Sequence, residues 1–186
     1  PLVDMFRTKR FWIVTLQFGI GAALAMVALT LPTSKFFQLS LAMFWLMAFS
    51  SATHDIAADG FYLLAMERHQ QAAFVGVRST FYRLSMIAGQ GGLVYLAGHL
   101  QTTLGSVVQA WVYVLILLAV FMALIGAYHV WALPRPAEDR AVRSGRGVLT
   151  QFIEVFGAFF RKPAILSILG FLLLYRFAES QLLKLV

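Results

Sequence analysis

The residues of this chain that could do chemistry are few, and they lie inside long apolar stretches. His54, Asp55 and Asp59 share one stretch, Arg78 and Arg83 the next, and Arg176 and Glu179 the last. A charged group in a lipid-spanning segment costs at least about 2.5–3.5 kcal/mol at the bilayer centre, so each needs a partner or a water-filled cavity. Asp55 and Asp59 are one helical turn apart. With one His beside them they supply too few convergent ligands to predict a metal site. No Ser or Thr stands in a nucleophile elbow or beside a positioned base, so the chain is read as a non-enzyme, with no cofactor expected. Three kinds of chemistry remain: ion pairs that open and close, arginine forks that clamp a carboxylate or phosphate, and groups that carry a proton.

The elements that must position these groups follow from hydropathy. Of 186 residues, 60% are apolar and 12% charged, far from the roughly 45–50% and about 25% of soluble domains. Uninterrupted apolar runs at Phe11–Leu31, Phe37–Gly60, Phe74–Gly98, Val107–Leu133 and Ala164–Val186 predict five transmembrane helices. The first, 21 residues long, reaches about 31 Å at about 1.5 Å per residue, close to the hydrocarbon thickness. The runs are continuous and rich in Leu, Ala, Phe and Gly, whereas barrel strands alternate over about ten residues. With no cysteine in the chain, disulfides, thiol catalysis and cysteine-ligated metals are excluded.

The net charge of +7 is a topology signal. Arg7, Lys9, Arg10, Arg68, Arg135, Arg140, Arg143, Arg146, Arg161 and Lys162 fall on one side of the predicted spans, against Lys35 on the other. That asymmetry places the first residues and the basic loop in the cytoplasm, and the loops at Pro32–Phe36 and His99–Ser106 outside. Nucleic acid is not an expected partner. Five spans leave the two ends on opposite sides, and with no leader ahead of Pro1 the chain reads as an internal piece whose remaining helices are its partners.

Counting inward from the cytoplasmic ends at about 1.5 Å per residue sets the depths. Asp55 lies about 7 Å in and Arg78 about 6 Å in, so these two are level and able to pair. A cytoplasmic gate of Asp55 with Arg78, or with Arg7 and Arg10, is expected, with Asp59 at the interface. Arg83 reaches about 13 Å, near the midplane, where it either holds an anionic substrate group or pairs with a helix outside this chain. Arg176 and Glu179 share a helix face about 18–23 Å from the cytoplasmic start of their span, and are expected to face one central cavity with Arg83, where Arg83 and Arg176 hold substrate carboxylates. Glu179, with Asp55 and His54, is a candidate proton carrier, unless Arg176 and Glu179 form a static ion pair.

Residues Pro134–Gly147, with two prolines, two glycines and six charges, predict a cytoplasmic linker between two bundles. The apolar positions Val148, Leu149, Phe152, Val155, Phe156, Phe159 and Phe160 recur on one face, so residues 148–162 predict an amphipathic helix, either lying at the interface or extending the last span. Small residues at Gly19, Gly21, Ala22 and Ala25, and at Ser85, Ala88, Gly89, Gly91 and Gly92, predict close helix packing. Trp12, Trp111, Tyr113, Tyr128 and Trp131 are read as interfacial anchors.

Four segments resemble a known family. PLVDMFRTKR at Pro1–Arg10, through Asp4, Arg7, Lys9 and Arg10, is similar to the basic loop between the second and third helices of the major facilitator superfamily. SATHDIAADGFYLLAM at Ser51–Met66 resembles the Ala-Thr-Gln-Asp-Ile-x-x-Asp stretch of AmpG-type muropeptide permeases. FYRLSMIAGQGG at Phe81–Gly92 and LLLYRFAES at Leu172–Ser180 resemble that group's fifth and seventh helices. The resemblance implies helices three to seven of a twelve-helix, all-α membrane protein in a bacterial inner membrane. It also implies proton-coupled import of anhydromuropeptides by two six-helix halves rocking about a midplane site, and adds Asp4 to the gate. Two rival functions stand beside it: an exporter of drugs or metabolites on the same fold, and a membrane scaffold that transports nothing.

Overall fold

The computed structural model describes residue 3, residues 6–140 and residues 148–185, apart from the side chains at 148, 149, 151 and 179–185. Within those residues the chain is all helical: α1 Lys9–Thr30, α2 Phe36–Ala65, α3 Arg68–Ile87, a π-helical turn at Ala88–Gly92, α4 Leu93–Leu104, α5 Val107–Ala132, α6 Val148–Phe160 and α7 Ile165–Leu185. Local chemistry sets the boundaries. Thr8 Oγ1 accepts from the Phe11 N–H at 3.1 Å and starts α1, and Ser106 Oγ does the same for Gln109 at the start of α5. Gly105, at φ 67°, takes the left-handed conformation that ends α4.

α1 is the centre of the assembly, packed against α2 on one side and α5 on the other, while α4 lies along α5. Glycine makes the α1–α5 contact possible. A methyl group on Gly21 would stand 3.2 Å from the Ala119 carbonyl oxygen, and one on Gly126 would stand 3.3 Å from the Phe18 ring. The second predicted stripe behaves differently. A methyl group on Gly89, Gly91 or Gly92 would meet nothing within 4 Å, and α3 buries no residue. Their low helix propensity instead accompanies the π turn, which interrupts one long helical run from 68 to 104.

Three helices, α1, α2 and α5, are long and apolar enough to cross a membrane, and a fourth candidate exists if the pair Phe152–Phe160 and Ile165–Ala178, bent by 87°, is one span. α3 falls short alone because its first turn is Arg68, His69, Gln70 and Gln71, with Arg78 and Arg83 following. Much of the surface is apolar: Phe37, Trp45, Phe49, Leu63, Phe121, Leu124 and Trp131 are all exposed. Such surface is costly in water and costs nothing against lipid tails.

The ends of the helices fix their order in space. Near one end, Val3, Ile13, Ala57 and Phe61 form a small buried core with Trp12, Ala58 and Leu133 against it. Burial of Phe61 accounts for α2 continuing beyond Gly60, where the apolar run stops, to Ala65. At the other end, Leu31 and Pro32 lie beside Ser106, Val108 and Tyr113. The run from α3 through the π turn to α4 therefore carries the chain from the first end to the second.

Candidate functional site

The end that holds the starts of α1 and α3 and the finishes of α2 and α5 is where the polar groups gather. Asp139 is 8% exposed, and its two carboxylate oxygens accept from the backbone N–H groups of Lys9 at 2.7 Å and Arg10 at 3.0 Å. It thereby satisfies two of the donors that every helix leaves unpaired at its N-terminus, and sets a negative charge at the positive pole of α1. Arg10 reciprocates. Its guanidinium donates to the Leu133 carbonyl at 3.2 Å and to the Val130 carbonyl, at the negative pole of α5. Two neighbouring antiparallel helices are thus clasped end to end, with the first residues after α5 folded over α1.

The α2–α3 corner closes the same end. Gln71 Nε2 donates to the Met66 and Leu63 carbonyls at 2.8 and 3.3 Å, and the Tyr62 hydroxyl donates to the Gln71 carbonyl at 2.5 Å. Arg78 meets Asp59 at 2.5 Å, with both side chains more than half exposed. The acid that faces Arg78 is therefore Asp59, not Asp55, because α3 follows so close behind α2 that Arg78 reaches the nearer turn. Asp55 projects outward at 73% exposure, 3.7 Å from His54 Nδ1.

The other predicted residues are placed as follows. Arg7 stands over the Phe11 ring at 5.4 Å and, with Arg10, Thr8 and Thr15, lines a shallow groove between α1 and α5. Asp4 lies outside the described residues, as do Arg143 and Arg146. Arg83 lines an open groove whose other walls, Met86, Ile87, Gln90 and Gly91, belong to its own helical run. Arg176 does not line that groove; Arg176 and Glu179 are both in α7, and the side chain of Glu179 lies outside the described residues. The linker is described only as far as residue 140.

Deeper between the helices is a second group of polar residues. Gln17 on α1 is 7% exposed, and its Oε1 lies 2.9 Å from His129 Nδ1 on α5. His54 on α2 has its Nε2 buried with no hydrogen-bond partner.

No protein-family model, curated protein or solved structure matches this chain.

The functional reading therefore rests on the residues themselves. Sequence reasoning missed Asp139, Gln17 and His129. The latter two carried a signal: Gln17 is the one amide in the run 11–31, and His129 stands inside the run 107–133. Asp139 carried none, since an acid among the charges of a Pro- and Gly-containing loop looks like any solvated residue. Among the described residues, no three His, Cys, Asp or Glu side chains converge as metal ligands.

Proposed function

We propose that this chain forms the third to seventh helices of a secondary active transporter of the major facilitator type. The transporter would take up a polar or anionic solute, such as an anhydromuropeptide, together with protons across a bacterial inner membrane. One observation carries the reading: between apolar helices Gln17 on α1 meets His129 on α5, His54 on α2 buries an imidazole nitrogen with no hydrogen-bond partner, and hydrogen bonds to helix termini with an exposed ion pair close one end. A purely structural membrane bundle has no need to bury an unpaired imidazole nitrogen where apolar side chains would pack as well. The clasp at the end is made of hydrogen bonds to helix termini and an exposed ion pair, which separate at modest cost when water enters. Two bundles rocking about a midplane site need closures of this kind.

On this reading the α3–π–α4 run and α7 complete a count of five spans, and α6 lies along the cytoplasmic surface before the 87° bend into α7. Arg83, with Arg176, offers guanidinium groups to substrate carboxylates. Gln17, His54 and His129 lie nearer the cytoplasmic end, where the proton leaves.

The test is uptake of radiolabelled anhydromuropeptide by proteoliposomes containing the full-length protein, with the outside made acidic. Accumulation that collapses on adding a protonophore is expected. Glu179→Gln should remove accumulation while preserving exchange down a gradient. Efflux of lipophilic cations without muropeptide uptake would replace the reading with an exporter. The absence of any flux from folded protein would replace it with a scaffold.

A further inference from the structure

We propose that α6 is a lipid anchor: its aromatic face sits among the acyl chains of an anionic leaflet, and Arg161 and Lys162 at its end hold the headgroup phosphates of that leaflet. The proposal rests on the transport reading in taking α7 as a span, and it adds the partner of α6 and the residues that bind it.

The sequence builds a helix with two unlike faces. At about 100° per residue, Phe152, Ile153, Val155, Phe156, Phe159 and Phe160 fall within one arc, and Thr150, Glu154 and Gly157 lie opposite. Ile153, Val155, Phe156, Phe159 and Phe160 are all exposed. The rings nonetheless stay together. Phe156 is 4.7 Å from Phe152 and 6.2 Å from Phe160, centre to centre, and with Val155, Phe159 and Phe160 it lines an open hollow of about 300 Å³ that has only apolar walls. Among the described residues, α6 takes no part in the close packing that joins α1 to α2 and α5, or α4 to α5. This face is left open.

The corner between α6 and α7 restricts what can cover it. The Lys162 N–H donates to the Phe159 carbonyl at 3.2 Å, and the Ile165 N–H to the Lys162 carbonyl at 3.3 Å, so the chain turns tightly on both sides of Pro163. Ala164 holds φ 59°, in the left-handed region that a residue with a Cβ seldom occupies. Ile165, next in the chain, is 8% exposed. The outcome is an angle of 87° between the two helices. A helix perpendicular to a span lies in the membrane plane. Turned to water there, the aromatic arc would form one contiguous apolar patch; turned to the leaflet, it lies among acyl chains.

Charge selects the kind of leaflet. Arg161 and Lys162 are exposed just beyond the last turn of α6. Lys162 Nζ lies 5.9 Å from the centre of the Phe159 ring, so its stem runs out from the apolar face and carries the ammonium to headgroup level. In the sequence, Arg140, Arg143 and Arg146 precede the helix, which gives five cations against the single acid Glu154 between residues 140 and 162. An apolar arc edged by cations matches a surface whose acyl layer lies directly beneath an anionic one.

The experiment uses the full-length protein in nanodiscs of phosphatidylcholine alone or with about 30% phosphatidylglycerol, which changes the surface potential. Amide hydrogen exchange of the wild-type protein needs no variant: α6 should exchange about tenfold more slowly with phosphatidylglycerol present, while α1 stays within about twofold. Because the chain has no cysteine, a fluorophore at Phe156→Cys or at Glu154→Cys reports which face meets lipid, and brominated acyl chains should quench the first about threefold more than the second. Arg161→Gln combined with Lys162→Gln should remove the dependence on phosphatidylglycerol. Equal quenching at the two positions, or α6 exchange indifferent to phosphatidylglycerol, would overturn the proposal. A Phe156→Cys fluorophore shielded from the brominated chains would overturn it too, assigning the face to a second copy if the cysteines cross-link and to other helices of a longer protein if they do not. Lipid-dependent protection of α6 in a protein that moves no anhydromuropeptide would leave the anchor standing and remove the transport reading. Proton-driven uptake with α6 indifferent to lipid would do the opposite.

Discussion

Replacing Asp139 by Ala removes the acceptor for two backbone donors at once, at the start of the central helix. The side chain is buried, and both contacts, 2.7 Å to Lys9 and 3.0 Å to Arg10, are short. Loss of a helix cap costs about 0.5–2 kcal/mol, and loss of an anion at a helix N-terminus about 0.3–1 kcal/mol more. Because little water reaches the site, the stranded N–H groups keep much of their desolvation cost, so a total of about 2–3 kcal/mol is expected. At about 2–4 °C per kcal/mol for a chain of this size, the midpoint of thermal unfolding in detergent should fall by about 4–12 °C. Opening local to the clasp should speed hydrogen exchange at the Lys9 and Arg10 amides by about 30- to 150-fold, the same free energy read at single residues. Asp139→Asn keeps one acceptor oxygen without the charge and should lose about half as much. The neighbouring exposed Glu138→Ala should stay within about 0.5 kcal/mol of wild type. If Asp139→Ala behaves like Glu138→Ala in both assays, the clasp contributes nothing and its role in closing that end is wrong.

Gly21→Val should separate α1 from α5, since its Cβ would meet a backbone carbonyl that cannot turn aside; about 1–3 kcal/mol of destabilisation is expected in thermal unfolding, against near neutrality for Gly19→Ala, which meets nothing. Neutralising Asp59 or Arg78 singly should cost under about 1 kcal/mol, with a coupling between them resolvable in a double-mutant cycle; an equal coupling between Asp55 and Arg78 would show that the pairing is wrong. Because the chain has no native cysteine, Glu138→Cys should react with an impermeant maleimide only from the cytoplasm and Thr103→Cys only from outside. Reversed labelling would invert every depth given above.

Hydropathy was enough to read an all-helical chain with helices long and apolar enough to cross a membrane, because the bilayer permits few solutions for long apolar runs. The extents of helices were less legible. α2 runs on to Ala65 because Phe61 finds a core that includes Val3 and Ile13, residues far away in sequence, and the glycines at 89, 91 and 92 mark a π turn where packing was expected. The site was legible only in some of its ionisable members. His54, Asp55, Asp59 and Arg78 stood out by the cost of their charges, yet which acid Arg78 meets depends on how tightly α3 turns back on α2. Asp139, Gln17 and His129 acquired meaning only through neighbours more than a hundred residues away. A loop carboxylate such as Asp139 has no periodicity or insertion cost to announce it. Composition determined that the chain is helical, with helices long and apolar enough to cross a membrane; the packing of α1 between α2 and α5 decided which polar groups face each other, because hydrogen bonds depend on ångström distances between segments that no local pattern encodes.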